Sequence, residues 1–410
     1  MVRKHSESSC SSEDCQDHEE YTLSDDAVVT KYQVAAEITN VVLKVIFSLT
    51  IFTFSCFFFQ EVIANVKDGA AVGDLCDLGD KLIQEKTGML YKKDKNMTKG
   101  IAMPTCISVD NCICHFTPLR SEAPVILKDG QVVKIDLGTH IDGLIATAAH
   151  TVVVGASKDN KVTGKIADLL CGTYDALEIA IRSLRPETFN YDITNRIDQV
   201  AAEYGVTPVE NMLSHQLERN EIEGAKNIIQ NSGEKKRGEV EKVKIEKHEA
   251  WAIDVLFTTG KGQTKETNTR TTVFRKDERV SYQLKMKASR VFLHDVNKQH
   301  GPMPFSLRGF EEEVKAKMGV VECEKNGLLV PYPVLYEKEG EFVAQFKATV
   351  LVMPNGLLKI AGLPLDSEVY KSKFSVKDEI LQKILASALK PKKKKVAKKP
   401  VPAANGQQKE

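Results

Sequence analysis

Two short apolar segments of the sequence each contain a single aspartate. Ile135-Asp136-Leu137 lies in the first half of the chain and Ile253-Asp254-Val255 lies in the second. A carboxylate inside an apolar strand is costly unless it is paired with a cation or bound to a metal. A match of three residues does not establish an internal repeat, but it makes both aspartates candidate site residues.

Length and composition are typical of a globular protein, with 410 residues of which 42% are hydrophobic. The net charge of +1 gives no overall bias toward nucleic acid or membrane, but it combines an acidic start with a Lys-rich end. The nine cysteines are scattered and odd in number, which favours a reducing compartment. Residues 1–20 lack an apolar core, so they predict a disordered arm and no secretory signal peptide.

An uncharged segment, Val45–Phe59, interrupts an otherwise helical N-terminal region that we expect to begin after Leu23, with Ser24 as N-cap. The segment is shorter than the roughly 20 residues that a bilayer span needs. Three interpretations of this segment are open: a short membrane anchor, a buried core segment, or sequence foreign to the fold. Removing Val45–Gln60 restores one continuous helical pattern, which favours the third interpretation. A retained intron would produce such an insertion.

The remaining chain predicts strand-rich halves with helices between them. The predicted elements are a hairpin within Lys99–Arg120 turning at Asp110-Asn111, a second hairpin turning at Asp142-Gly143, helices at Lys165–Leu184 and Ile193–Tyr204, and a strand at Glu341–Met353. Three regions complete the predicted organisation. The main domain covers residues 21–365, a polar and basic helical subdomain is inserted at 261–330, and residues 366–410 form a final helix and a disordered Lys-rich tail.

Cys112, Cys114 and His115 form a short cluster with three interpretations. They are zinc ligands, a Cys-His nucleophile pair, or buried structural cysteines. The spacing favours the last, because alternate residues of a strand share one face and structural zinc sites usually use a wider loop spacing. His215, together with Asp136 and Asp254, has the residue types of a divalent-metal site, although each taken singly is typical of a satisfied core polar residue.

Longer segments around these residues carry a resemblance to a known family. They are KGIAMPT (Lys99–Thr105), VKIDLGTHIDG (Val133–Gly143), LSHQL (Leu213–Leu217), WAIDV (Trp251–Val255) and VLYEKEGEFVAQFKATVLVMPNG (Val334–Gly356). The chain resembles the type II methionine aminopeptidases and, more closely, the metal-free proliferation-associated (ErbB-receptor-binding) proteins. The resemblance implies an α/β (α+β) pita-bread fold, with two pseudo-symmetric halves around a curved sheet and a helical insertion.

The resemblance also implies which positions correspond to the metal site of the active enzymes. Those enzymes hold two divalent metals with two aspartates, one histidine and two glutamates, and a separate histidine assists catalysis. Asp136 and His215 match two ligands, and His115 matches the catalytic histidine. The other three ligand positions hold Thr147, Asp254 and Lys347, and Lys347 stands where a glutamate would bridge the metals. We therefore expect a pseudoenzyme that binds no metal cofactor, in which these residues are vestigial. The alternative is an altered peptidase with one metal at Asp136, His215 and Asp254.

Two basic regions predict contacts with nucleic acid. The basic residues of the tail are Lys392, Lys393, Lys394, Lys395, Lys398 and Lys399. Those of the helical subdomain are Lys285, Lys287, Arg290, Lys298 and Arg308. A solubilising tail, a nuclear import signal and a solvated helix face are the alternatives. The resemblance implies large ribosomal subunits, ribosomal or structured RNA and growth-signalling proteins as partners, and a location in cytoplasm, nucleus and nucleolus. Membrane attachment is expected only if residues 45–59 are exposed.

Overall fold

The computed structural model describes residues 21–47, 66–231 and 240–390. The predicted arm at 1–20, most of the apolar segment Val45–Gln60 and the Lys-rich tail lie outside these ranges. The helices are α1 (Asp26–Phe47), α2 (Val72–Met89), α3 (Lys165–Ser183), α4 (Asn190–Tyr204), α5 (Lys287–Gln299), α6 (Glu313–Lys325) and α7 (Glu379–Leu385).

The strands are β1 (Lys99–Val109), β2 (Cys112–Cys114), β3 (Val132–Ile141), β4 (Leu144–Val153), β5 (Val162–Thr163), β6 (Thr207–Pro208), β7 (Leu213–Leu217), β8 (Asn227–Ile229), β9 (Ala250–Thr258), β10 (Lys265–Glu266), β11 (Val273–Lys276), β12 (Phe305–Ser306), β13 (Leu329–Tyr332), β14 (Leu335–Tyr336), β15 (Val343–Met353), β16 (Gly356–Lys359) and β17 (Tyr370–Lys371).

One antiparallel sheet dominates the described part of the chain, with the strand order β1-β3-β4-β15-β9-β7-β8. β16 extends it beside β15, and β6 pairs with β9. The two aspartate-bearing strands, β3 and β9, are separated only by β4 and β15. The two predicted halves therefore share a single continuous sheet.

Helices cover one face of this sheet, and the alternation of side chains along each strand decides what lies on the other face. Trp251, Ile253 and Val255 of β9 join the core cluster beneath α3 and α4, while Ile135 and Leu137 of β3 join the cluster beneath α1 and α2. The residues between them in sequence, including Asp136 and Asp254, point to the opposite face. The repeated apolar-Asp-apolar pattern thus delivers both carboxylates to the same side of the sheet.

A backbone hydrogen bond links the described residues on either side of 48–65. The amide of Val66 donates a hydrogen bond of 3.0 Å to the carbonyl of Ile46 near the end of α1. In an α-helix that bond joins residues four apart. If Val45–Gln60 were absent, Val62 would occupy the position of Ile46 and would form this same bond with Val66. The geometry therefore favours sequence foreign to the fold. No helix within the described ranges is long and apolar enough to cross a membrane.

Deleting Val45–Gln60 is expected to give a protein that unfolds cooperatively at an unchanged or higher temperature. The helix can then run directly from Lys44 to Glu61 while Val62 takes the buried place of Ile46. Circular dichroism and calorimetric unfolding of the two proteins test this.

A deletion two residues shorter, Val45–Phe58, serves as the matched control. It rotates everything that follows by about 200° around the helix axis, so it should lower the unfolding temperature. If both deletions were equally damaging, the helical continuity inferred from the Ile46–Val66 bond would be wrong.

Three local sequence predictions have different outcomes. The β3–β4 hairpin turns at Asp142 and Gly143, both with positive φ, as the primed hairpin turns require. The predicted N-cap is wrong, since Asp25 Oδ1 accepts the amide of Ala27 at 2.8 Å. The predicted turn at Asp110-Asn111 is present, and the amide of Ile107 donates to the carbonyl of Phe116 at 2.8 Å. The regular strand pairs differ from the predicted hairpin, because β1 pairs with β3 and β2 with β14.

The C-terminal segment contributes to the core of the main sheet. Val369, Tyr370, Val376 and Leu381 belong to the same buried cluster as α3, and the amide of Leu357 donates to the carbonyl of Leu389 at 2.9 Å. We propose that the main domain continues through Leu389 rather than ending at residue 365. The stretch 261–330 contains α5 and α6, which pack against each other, together with the short strands β10 to β13.

Candidate functional site

A single row of residues crosses the middle of the sheet. Asp136 of β3 is in register with Ala149 of β4, Ala149 with Lys347 of β15, and Lys347 with Asp254 of β9. Residues paired across adjacent strands project from the same face. The register therefore brings the two predicted aspartates and the predicted lysine together, although they are far apart in sequence.

Lys347 joins the two carboxylates directly. Its Nζ lies 2.6 Å from Asp136 Oδ2 and 3.0 Å from Asp254 Oδ2. Gln345, two residues earlier on the same strand face, donates its amide to both oxygens of Asp254 at 3.0 Å. Charge-assisted hydrogen bonds of this kind are stronger than neutral ones. The ammonium and the amide together stabilise carboxylates that burial would otherwise destabilise.

Burial sets the protonation states of this cluster. It raises the pKa of Asp254 to about 6 from its ordinary value of 3.8, because the gain from Lys347 does not fully offset desolvation and the neighbouring Asp136. Burial by itself lowers the pKa of Lys347, but the two carboxylates outweigh it and raise that pKa above the ordinary value. Lys347 is therefore a permanent cation, while Asp254 gains a proton in mildly acidic solution.

A cavity of about 290 Å³ opens over this row of residues. Its polar wall includes Lys347, Asp254, Thr147, His115 and His215, so the fold assembles most of the predicted site residues around one space. Its apolar lining includes Met103, Met212, Ile222 and Leu256. Asp136 lies beneath the cavity, held by Lys347.

The two histidines are held as neutral rings. His215 Nδ1 is 2.7 Å from Asn227 Oδ1, and His115 Nδ1 is 3.1 Å from the carbonyl oxygen of Pro333. Because both partner oxygens are acceptors, Nδ1 carries the proton in each ring and Nε2 keeps its lone pair. Burial lowers the pKa of both histidines below the ordinary value. Each ring could therefore accept a hydrogen bond from a group in the cavity.

Thr147 contributes no charge where the resemblance implies an aspartate ligand. Its amide donates to Thr349 Oγ1 at 2.9 Å, and its carbonyl accepts from the same hydroxyl at 2.8 Å. These bonds fix the junction between β4 and β15. The side chain itself offers only a neutral hydroxyl.

The residues of this site do not fit a pair of divalent metal ions. Such a pair is held about 3.5–4 Å apart by bridging oxygens, whereas here the bridging position supplies an ammonium. At 4 Å, each pair of unit charges interacts by about 4 kcal/mol at an effective dielectric constant of 20, so a dication beside Lys347 would be strongly repelled. Among the described residues, no group of three or more His, Cys, Asp or Glu side chains could hold a metal ion.

Cys112 and Cys114 are buried and free within the described chain. Burial raises the pKa of both thiols, which keeps them protonated at neutral pH. His115 uses its Nδ1 on Pro333 and packs edge-on against Tyr332. Of the three interpretations of this cluster, the geometry favours buried structural cysteines, since a protonated thiol is neither an effective nucleophile nor a metal ligand.

Among the cavity residues that were not predicted from the sequence, Gln345, Glu223 and Tyr332 bring polar side chains. Gln345 could have been found, because it lies two residues from Lys347 and alternation places both on one face. Glu223 and Tyr332 gave no comparable signal. Tyr332 donates its hydroxyl to Glu223 Oε1 at 2.6 Å, and Arg275 binds the other oxygen at 3.2 Å, but the pairing depends on how the loop before β8 folds.

The chain is similar to proteins of a known family. Residues 53–263 match metallopeptidase family M24. The match confirms the pita-bread fold that the sequence segments predicted.

Relatives that cover nearly the whole chain define the family more narrowly. The chain is 39% identical to proliferation-associated protein A of Dictyostelium discoideum, over 92% of both chains. It is 42% identical to ERBB-3 binding protein 1 of Arabidopsis thaliana, over 93% of this chain and 92% of the relative. A solved thermophilic Arx1 structure is similar with a TM-score of 0.80 at 30% identity, covering 90% of this chain and 100% of the Arx1 chain. The chain belongs to the proliferation-associated (ErbB-receptor-binding) protein family of the M24 fold.

Replacing Lys347 by methionine is expected to destabilise the protein by about 3–5 kcal/mol at pH 7.5, because it leaves two buried carboxylates without their counter-ion. The deficit should shrink at pH 5. Asp254 has a folded-state pKa above its unfolded value, so acidification through pH 6 favours the folded state through this group, and more so without Lys347. Urea unfolding at the two pH values measures both effects.

The triple variant Asp136→Asn/Lys347→Met/Asp254→Asn is the control, since it removes the charges together and should recover most of the stability. A deficit in Lys347→Met that is equal at both pH values, and that the triple variant does not recover, would show that Lys347 acts through packing rather than charge.

Proposed function

We propose that this protein is a non-catalytic member of the M24 fold that binds RNA and ribosomes and acts in ribosome biogenesis, translation and growth regulation. The ammonium of Lys347, bound between Asp136 and Asp254, supports the proposal that the protein is non-catalytic. It supplies fixed positive charge where the peptidase chemistry would need metal cations. The named relatives with nearly full coverage carry the names of proliferation-associated and receptor-binding proteins rather than of peptidases.

The RNA-binding part of the proposal is supported by a basic surface on the inserted helices. Lys287, Arg290, His294 and Lys298 are exposed along α5 at spacings that place them on one helical face. Lys285 is exposed just before the helix. Such a surface can contact phosphates without reading sequence. We call this set of five residues the α5 basic face.

Two arginines of the predicted surface have structural contacts. Arg290 donates to the carbonyls of Leu284 and Lys285 at 3.0 and 2.7 Å, which fixes the start of α5. The prediction that Arg308 belongs to the surface is wrong, because its side chain is only 1% exposed and pairs with Asp77 and Asp80. A guanidinium in a buried ion pair is not available to an RNA phosphate.

The Lys-rich tail lies outside the described residues, and its six lysines remain part of the proposal on charge density alone. The proposed partners are the large ribosomal subunit and structured or ribosomal RNA, with growth-signalling proteins as further partners. The proposed location is the cytoplasm, nucleus and nucleolus. These expectations follow from the family resemblance, and one Arabidopsis relative is named for binding ERBB-3.

Removing residues 391–410, or replacing Lys285, Lys287 and Lys298 by glutamine, is expected to weaken binding to a structured RNA hairpin. For every phosphate that a variant no longer neutralises, the slope of log affinity against log salt should fall by about 0.7–0.9. Fluorescence anisotropy over a range of NaCl concentrations measures affinity and slope together.

The exposed lysines Lys92, Lys93 and Lys95 offer a matched control, since their triple glutamine variant makes the same change in net charge away from the α5 basic face. It should leave the slope unchanged. Equal losses in both triple variants would indicate a response to net charge only, and unchanged binding in the tail and α5 variants would contradict the proposed RNA contact.

The alternative, a peptidase with one metal at Asp136, His215 and Asp254, makes the opposite biochemical prediction. We expect purified protein incubated with Mn²⁺ or Co²⁺ to retain no stoichiometric metal and to release no methionine from a Met-Ala-Ser peptide. The physical reason is that both aspartates already bind Lys347. Metal analysis after gel filtration, combined with a turnover assay, decides between the two, because bound metal together with turnover would establish the peptidase.

A further inference from the structure

A second cavity, of about 510 Å³, lies where the inserted subdomain meets the main sheet. Its walls come from α2, the start of β1, the end of β3, the end of α5 and the segment that includes β12. None of its wall residues belongs to the cavity above Lys347. It is therefore a separate feature, which neither the degenerate metal site nor the α5 basic face explains.

Two histidines on the walls of this cavity have ring nitrogens without partners. His140 Nδ1 and His300 Nε2 are both buried and make no hydrogen bond within the described part of the protein. His140 is only 7% exposed, and the His300 ring stacks on Phe305 with a centroid distance of 5.2 Å. Burial lowers the pKa of each histidine to about 4, so both rings are neutral at pH 7. An unsatisfied buried polar atom costs about 1–3 kcal/mol.

The fixed charge around the cavity is positive. Its walls contain four basic side chains, Lys81, Lys99, Arg120 and Arg308, against two acidic ones, Asp77 and Asp80. The two acids are already engaged, because Asp77 accepts from Arg120 and Arg308 at 2.9 Å and Asp80 pairs with Arg308.

Lys81 and Lys99 have no carboxylate partner among the walls. The nearest partner of Lys81 is Glu85, outside the cavity at 3.9 Å, and Lys99 donates to the carbonyl of Leu90. A cation is disfavoured in such a space and an anion is favoured.

The cavity is too large to be a site for only one or two bound waters. At about 30 Å³ for each water, the cavity would hold more than a dozen, and it lies within the range of about 300–1,000 Å³ that is typical of small-molecule sites. The ligand should carry several acceptor oxygens, because the walls offer two neutral imidazole groups, each able to present an N–H, and two ammonium groups that form no ion pair with a carboxylate of the walls. A phosphate group meets these requirements better than a carboxylate, which has fewer oxygens and less charge.

We propose that this cavity is a binding site for a small phosphorylated molecule, with His140, His300, Lys81 and Lys99 as the phosphate-binding residues. The paired guanidinium groups of Arg120 and Arg308 hold the walls and do not need to be displaced. The site couples the inserted subdomain, which supplies His300, to the main sheet, which supplies His140. The proposal does not depend on RNA binding by the α5 basic face.

Isothermal titration of the full-length protein with inorganic phosphate and with AMP tests the proposal. We expect both probes to bind, and His140→Leu and His300→Leu to weaken binding at least about 10-fold, which corresponds to about 1.4 kcal/mol. His140→Asn and His300→Gln place an amide near the same ring nitrogen, so they should retain binding within a few-fold. Lys81→Gln should weaken binding, while the exposed Lys93→Gln should not.

Thermal unfolding of each variant confirms that it is folded before binding is compared. The absence of binding by both probes, or equal losses in the leucine and amide variants, would overturn the site. A third probe is single-stranded RNA without a terminal phosphate. If RNA binding depends on His140 while phosphate and AMP fail to bind, the cavity recognises a polymer backbone, and the proposed small ligand is wrong.

Discussion

The buried ion pairs of Lys347 with Asp136 and Asp254 join strands β3, β15 and β9 at the centre of the main sheet. Two carboxylates in the centre of an otherwise apolar sheet would be strongly destabilising without a counter-ion. The antiparallel register of β3, β4, β15 and β9 places one ammonium between them. Lys347 therefore permits the two symmetric strands to keep their acids. It also occupies the place where cations would have to bind, so the same interaction stabilises the sheet and disfavours the metal chemistry of the M24 enzymes.

The fold has a cavity at the centre of the sheet and a second one at the junction with the inserted subdomain. The cavity above Lys347 keeps neutral histidines and apolar walls, although its charges are satisfied internally. The inserted subdomain adds exposed lysines on α5, and its contact with α2 and β1 creates a second cavity with positive walls. Arg308 makes that contact by pairing with Asp77 and Asp80. The binding surfaces that we propose therefore lie on the inserted subdomain and at its junction, not at the centre of the sheet.

Much of the fold and the site could be predicted from the sequence, and the parts that failed share a physical cause. Strand alternation around Asp136 and Asp254 predicted the two halves, the Asp-Gly turn predicted the β3–β4 hairpin, and the position of Lys347 in a recognisable segment predicted its place beside the acids. The partner of β2, the burial of Arg308 and the Glu223–Tyr332 bond were not predictable. Each depends on contacts between residues far apart in sequence, for which local patterns carry no signal. The cavity that His140 and His300 line likewise forms only when β3 and the end of α5 are brought together.

We propose that Lys347 holds the position a metal ion would need. Crystals of the protein grown with millimolar Mn²⁺ and measured at a wavelength where manganese scatters anomalously would test this proposal. We expect no anomalous peak in the cavity and continuous contact between Lys347 Nζ and both Asp136 and Asp254. A strong peak coordinated by Asp136, Asp254 or His215, with the lysine displaced, would contradict it.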